Sequence, residues 1–335
     1  MLKNIFFIAK NNKILYNLAM KGFKIKNVHI KTNVVLAPMA GFSDVGLRAL
    51  ACKYGAGLTY TEMVSAKALE YKNPKTYDLL ATTKNESPVA VQIFGSDPQC
   101  MAEACKNPRL QKFDIIDINM GCPTPKIVKN GDGSALLSNI GLAEDIIRAC
   151  VNATTKPITV KFRIGINTNN IIAVEFAKMC ERAGASAITV HGRTVEQGYS
   201  GKSNLQVIKQ VVDAVNIPVI ASGDCTDYNS FKNILEQTGA TAVMIGRAAI
   251  GKPEIFAECL GKSVKVNKLK QIKQHINILT KFMDEKLIAL TMRGVVCHYL
   301  KSISGTSSLK VNISKASTIE QILGLLDEFF AENKQ

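Results

Sequence analysis

Eight short runs rich in β-branched and aliphatic residues recur between Asn33 and Arg247, each ending in a polar or glycine-bearing turn and most leading into a helical stretch. They are Val34 to Met39, Leu58 to Met63, Val89 to Phe94, Ile115 to Cys122, Ile158 to Arg163, Ala187 to Gly192, Pro218 to Asp224 and Ala242 to Arg247. Between them lie amphipathic helix candidates such as Ala173 to Ala183 and Leu205 to Val215. Runs that are apolar on both faces suit parallel strands, because βαβ crossovers lay helices over the sheet. Eight of them in about 215 residues match the number and length of a (β/α)8 TIM barrel. An open doubly wound sheet is the competing α/β architecture. The polar residues favour the barrel: they fall at the carboxyl ends of most runs, where a barrel gathers them round one mouth and an open sheet scatters several.

After Pro253 the alternation stops. Val266 to Lys301 reads as helix, with Leu269, Ile272, Ile276, Leu279, Met283, Leu287 and Leu290 at spacings of three and four. Ser317 with Glu320 forms a capping-box pattern that opens a last helix through Phe330, whose apolar face includes Ile319, Ile322, Leu323 and Leu326. The expected division is an N-terminal extension over 1–19, a barrel over 20–258 and a smaller C-terminal all-α domain over 262–335. In the extension, the patch Ile5 to Ala9 is broken by Lys10 and is too short for a secretory core. It lacks acids as a transit peptide does, but also lacks arginine and serine, so it reads as an extension of unknown purpose, with Met1 and Met20 both open as the start.

The nine cysteines stand singly, without a C-x-x-C pair or a Cys/His cluster at zinc spacing. Neither a disulfide framework nor a metal is therefore expected, and reducing cytoplasm is the natural compartment. No apolar run approaches the roughly 20 residues that cross a bilayer, so no membrane partner is expected. The net charge of +15 sits mainly at the ends, with +7 over 1–31, +5 over 256–335 and +3 between. An anionic partner and a lysine-rich solvated surface explain that charge equally well.

The chemistry gathers at the run ends. Glycine-bearing turns after the seventh and eighth runs, Ser222-Gly223-Asp224 and Gly246-Arg247, match the common barrel phosphate site, where backbone N–H groups meet an anion. A ligand anchored there reaches Gln92 and Lys161 over the barrel centre, a span that suits flavin mononucleotide. Lysine stabilises the negative charge of a reduced flavin, and an amide bonds the polar edge of its ring. No G-x-G-x-x-G follows a run, so a resident dinucleotide is disfavoured and a nicotinamide nucleotide would be a visitor. Cys122 then becomes a candidate general acid opposite a hydride donor. Asn119 either bonds an amide edge of a substrate or makes a strand-end turn, and His191 and Arg193 either orient substrate or phosphate or stand behind the residues that do.

These segments resemble the bacterial tRNA-dihydrouridine synthases, and within them the B branch. The resemblance covers nearly all of Val34 to Phe256. It is carried by Leu36-Ala37-Pro38-Met39-Ala40-Gly41, Gln92-Ile93-Phe94-Gly95-Ser96, Asp117-Ile118-Asn119-Met120-Gly121-Cys122-Pro123, Gly133-Ser134-Ala135-Leu136, His191-Gly192-Arg193-Thr194 and Met244-Ile245-Gly246-Arg247-Ala248-Ala249. It implies FMN-dependent reduction of uridines in tRNA, fed by NADPH or NADH, with hydride passing from flavin N5 to uracil C6 and Cys122 protonating C5. It implies FMN contacts at Pro38, Met39, Ala40, Gln92, Lys161, Ser222, Gly223, Asp224, Gly246 and Arg247; Ser222 stands where the family often has asparagine. Asn119, Arg163, His191 and Arg193, with Arg293 and Lys301 in the helical part, are the expected substrate contacts. In that part Gly294, Val295 and His298 replace a customary lysine, histidine and tryptophan. A monomer is expected. The competing readings are an FMN barrel acting on a small pyrimidine, similar to dihydroorotate dehydrogenase, and a non-catalytic RNA-binding protein.

Overall fold

The structure, a computed structural model, describes residues 22–333; the expected extension and both candidate starts, Met1 and Met20, lie outside them. The barrel strands are β1 (Val34–Leu36), β2 (Thr59–Tyr60), β3 (Val89–Phe94), β4 (Ile115–Met120), β5 (Ile158–Arg163), β6 (Ala187–His191), β7 (Val219–Ser222) and β8 (Ala242–Ile245). Hydrogen bonding runs in the order β1-β8-β7-β6-β5-β4-β3-β2 with every pair parallel. A single bridge, Val35 to Leu58, draws β1 and β2 together, flanked by Leu36 N–H to Leu58 O at 2.9 Å and Gly57 N–H to Val34 O at 2.8 Å. The result is a nearly closed eight-stranded TIM barrel.

Several strands stop short of the apolar runs that announce them. The run Leu58 to Met63 yields β2 and, after a break, a short strand Val64–Ser65 that also pairs with β3. Thr61 causes the break: its hydroxyl oxygen accepts from Gln92 N–H at 3.1 Å, where a ladder carbonyl would otherwise sit. Glu62 and Met63 are thereby released to the mouth. A hairpin that the apolar pattern did not announce, Phe23–Ile25 with Val28–Ile30, packs Ile25 and Ile30 with Val35, Leu58, Ile115, Ala187 and Ala242 at the start of the barrel interior.

Helices α1 (Val45–Lys53), α2 (Pro98–Lys106), α3 (Ile140–Ala153), α4 (Ala173–Arg182), α5 (Leu205–Ala214) and α6 (Tyr228–Thr238) cover the barrel. Asp44, Asp97, Asn139, Asn204 and Asp227 cap five of them, each side chain accepting a free N–H of the first turn.

The C-terminal helical region comprises α7 (Lys268–Leu279), α8 (Glu285–Tyr299), α9 (Ser307–Lys315) and α10 (Ile319–Glu332). The single helix expected over Val266 to Lys301 is two: the chain breaks after Leu279, and Asp284 caps the second by accepting Leu287 N–H at 2.9 Å. Leu290, one of the apolar positions at helical spacing, is 58% exposed. The last cap also moves by one residue. Thr318 rather than Ser317 accepts Gln321 N–H, at 3.2 Å, while Gln321 Oε1 accepts Ser317 N–H at 2.7 Å.

The region is joined to the barrel through α1 and the loop before it. Val45 packs with Ile272, Ile276 and Val296. Beside it His275, wholly buried, bridges Asp44 Oδ1 (2.8 Å from Nε2) and the Tyr299 hydroxyl (3.0 Å from Nδ1). There is no room for a side chain at Gly46, where a Cβ would lie 2.1 Å from His275 Cδ2. Burial with the nearby carboxylates Asp44 and Glu254 pushes the Tyr299 phenol well up, so it stays a donor. The two ring nitrogens thus each have a partner, Nε2 the Asp44 carboxylate and Nδ1 the Tyr299 hydroxyl. One turn on, Arg48 is buried against Glu86 at 2.8 Å and donates to Ser43 O at 2.7 Å and to Ala81 O, fixing the loop that runs from the barrel mouth into α1.

Candidate active site

Strand β4 delivers Cys122 to the rim. Gly121 lies against β5, where a Cβ would come 3.2 Å from Phe162 Cα. Asn119 Oδ1 accepts the N–H groups of Gly121 (3.1 Å) and Cys122 (2.9 Å), and the Cys122 thiol lies 3.2 Å from Thr124 Oγ1. Asn119 is thus the strand-end turn residue and at the same time lines the cavity beneath the thiol. Its Nδ2 donates to Gln92 Oε1 at 2.8 Å; Gln92 Nε2 donates to Asp117 Oδ2 at 2.7 Å; the Thr159 hydroxyl donates to Asp117 Oδ1 at 2.5 Å.

This polar thread is buried, and its charges respond. Burial drives the Asp117 carboxyl up to about 6 against the pull of Thr159, Gln92 and Lys161. Burial, with Arg163 adding to it, drives the Lys161 ammonium down to about 8 although Asp117 and Cys122 oppose this. His191 falls to about 2 through burial and the cations Lys161, Arg163, Arg193 and Arg247, which makes it a neutral imidazole at physiological pH.

Two arginines expected at the substrate hold the backbone. Arg163 donates to Gly121 O (3.0 Å), Thr194 O (2.9 Å) and Gly198 O (2.8 Å), tying the cysteine turn to the loop after β6. Arg193 reaches Ser200 O (3.0 Å), Gly201 O (2.6 Å) and both oxygens of Asp224 (2.7 and 2.9 Å). Partial burial raises the Asp224 carboxyl, but Ser203 N–H and Arg193 outweigh it and hold the group low. Asp224 occupies the left-handed region (φ 55°) and Gly223 precedes it at φ 123°, so this turn is a built cradle rather than a plain strand end.

Two cavities of about 360 and 520 Å³ share Pro38, Met39, Lys161, His191 and Arg247 as walls, and together form the mouth. The first holds Ala40, Gln92, Asn119, Cys122 and Arg163; the second holds Arg193, Ser222, Gly223, Asp224 and Gly246. Lys301 reaches the second from the helical region. Arg293 lines neither: its Nη1 lies 3.4 Å from Ser314 O, near the carboxyl end of α9, where a cation meets the helix dipole.

Several residues at the mouth escaped the sequence reading. Tyr199 is 59% exposed, lines both cavities and lies under the guanidinium of Arg247 at 4.3 Å; a tyrosine in a loop carries no signal of its own. Phe42 meets the His298 ring edge-on at 5.5 Å, and both line the second cavity. Asp117 was the legible one, being a carboxylate inside a strand whose other polar residue is Asn119.

A flavin nucleotide fits these residues: the Gly223 and Gly246 turns with Arg247 at one end suit a phosphate, and Lys161 and Gln92 lie along the other lobe. One guanidinium nitrogen of Arg193, Nη1, is buried beside the cradle without a partner among the described residues. Among those residues no group of three or more His, Cys, Asp or Glu is placed to hold a metal ion, and no helix is long and apolar enough to cross a membrane.

Residues 35–335 match the dihydrouridine synthase (Dus) family. The chain is 38% identical over 316 residues to tRNA-dihydrouridine synthase B of Vibrio cholerae, covering 92% of this chain and 98% of that protein. It is 40% identical over 236 residues to a probable tRNA-dihydrouridine synthase of Rickettsia bellii, covering 70% of this chain and 72% of that one. Among solved structures, histamine dehydrogenase from Rhizobium sp. 4-9 superposes with a TM-score of 0.59 at 12% identity over 85% of this chain. The chain spans only about half of that protein (51%). Morphinone reductase in complex with tetrahydroNAD superposes with a TM-score of 0.52 at 11% identity, over 74% of this chain and 92% of that one. At such identities the superpositions speak to the barrel alone.

Proposed function

Because this chain belongs to the dihydrouridine synthase family, we propose that it is a flavin-dependent oxidoreductase that reduces uridine to 5,6-dihydrouridine in tRNA. The observation that supports this reading most directly is Cys122, its backbone N–H held by Asn119 in a cavity that Lys161 of the neighbouring strand also lines. The two lobes would hold FMN, which when bound would supply the hydride for uracil C6 and would be re-reduced by NADPH. Pro38, Met39, Ala40 and Gln92 line the ring lobe, and Ser222, Gly223, Asp224, Gly246 and Arg247 surround the phosphate lobe.

Cys122 donates its thiol proton to C5 as C6 is reduced, and the thiolate is reprotonated from solvent. Lys161 balances negative charge on the cofactor while its ammonium persists. Asn119 commits its oxygen to the turn, and its Nδ2, which holds Gln92 Oε1 and lies 3.6 Å from the Met63 sulfur, can exchange that weak thioether contact for a uracil carbonyl. Arg163 and Arg193 hold the rim, and neutral His191 offers a ring nitrogen without adding charge. Lys301, with His298, extends the site toward RNA phosphates, whereas Arg293 braces α9. A uracil must leave its stack to reach this depth, and backbone contacts elsewhere hold the rest of the RNA.

The test is to purify the protein, record its visible spectrum and assay dihydrouridine in unmodified tRNA with NADPH, for wild type and Cys122→Ala. Flavin absorbance in both proteins, with product falling about 100-fold or more in the variant, is expected of a lost general acid. Bound flavin without tRNA product points to a small pyrimidine, and a colourless protein that binds RNA removes the enzyme reading.

A further inference from the structure

We propose that Asp117 is a positioning residue for Cys122, its carboxylate dictating through Gln92 and Asn119 which way two amide side chains face and thereby holding the cysteine turn. The role of Cys122 as a proton donor rests on the function proposed above; the hydrogen-bond argument stands on geometry alone.

An ionised carboxylate only accepts hydrogen bonds. Asp117, wholly buried, must therefore be met by donors, and it is: the Thr159 hydroxyl at 2.5 Å and Gln92 Nε2 at 2.7 Å. With its nitrogen committed, Gln92 presents oxygen to Asn119, which must answer with Nδ2, at 2.8 Å. Asn119 is then left with an oxygen facing Gly121 and Cys122, whose N–H groups can only donate. Each amide has one donor end and one acceptor end, so reversing either reverses its neighbour. Gln92 is 1% and Asn119 8% exposed, so a reversed amide has little access to solvent in compensation. The thread runs between an acceptor-only root and a donor-only turn, and its direction is set at the root.

Asp117→Asn changes little in volume but removes the acceptor-only root that imposes that direction. The thread keeps its direction only if the new amide turns its NH₂ to Thr159 and the Thr159 hydroxyl gives up its own acceptor to accept instead; otherwise two NH₂ groups face each other, or Gln92 and then Asn119 rotate and Asn119 turns its own NH₂ against the N–H groups it now holds. Gln92→Glu added to Asp117→Asn restores the sequence of donors and acceptors: the amide introduced at position 117 donates to the new carboxylate, which accepts from Asn119 as before. A residue that merely fills space has no reason to be rescued by this exchange.

The measurement is the iodoacetamide alkylation rate of Cys122, followed by peptide mass spectrometry in the protein as purified, with circular dichroism alongside. Alkylation is expected to rise about fivefold or more in Asp117→Asn, one buried hydrogen bond's worth, and to return most of the way to wild type in the double variant. An unchanged rate in the single variant overturns the proposal, as does a double variant as disturbed as the single one in rate or folding. If wild type makes no dihydrouridine, the function above fails while this comparison remains readable.

Discussion

Lys161 shows how one residue can be recognisable from its position and yet hide its working range. Burial brings its ammonium down to about 8, so the charge is present below that pH and lost above it. Reduction of bound flavin by NADPH, followed by stopped flow, is expected to slow as pH rises through about 8. Lys161→Arg, whose cation persists to far higher pH, is expected to remove that fall; the same decline in both proteins would exclude Lys161 as its origin. Residue type and strand end were legible for Lys161, Gln92 and Cys122 because a barrel directs every strand terminus to one mouth. Partners were not. The carbonyls that occupy Arg163 and Arg193 belong to the loops of residues 194–201 and the Gly121 turn, and nothing in the spacing of a strand tells where a later loop will fold back.

Among the elements, α1 is the one that serves both parts of the molecule. Its cap, Asp44, is held by His275 of α7, and the loop before it lines the mouth. Tyr299→Phe removes only the hydroxyl that partners His275 Nδ1, and should cost about 1–3 kcal/mol, read as a lower denaturation midpoint. Gly46→Ala should cost more, because its methyl group would fall 2.1 Å from the imidazole. Gly294→Ala in α8, with nothing within 4 Å of the added carbon, should instead stabilise by about 0.5–1 kcal/mol. A Gly46→Ala protein as stable as wild type would mean that the joint yields. The eight strands could be read because their apolar runs are separate and bounded by turns. The break between α7 and α8 could not, since Leu279, Met283 and Leu287 keep helical spacing straight across it; Asp284, a good cap, was the signal that periodicity overrode.

For the molecule as a whole, charge placement matters more than its total. With +5 over 256–335 and Lys301 at the mouth, binding of unmodified tRNA is expected to weaken about 10- to 1,000-fold between roughly 50 and 200 mM salt. Filter binding at several ionic strengths checks this, and a flat response would exclude phosphate contacts as the main grip. The barrel and a trailing helical region were legible in the order of apolar runs, but their junction was not, because it depends on single side chains from distant segments. That junction has one more outcome. His298 and Lys301 form part of the wall of the second cavity, so a polypeptide that ends before them lacks the RNA-facing side of the mouth however well its barrel assembles. A grip on RNA would then be the stamp of finished synthesis, given only once the trailing helices are in place.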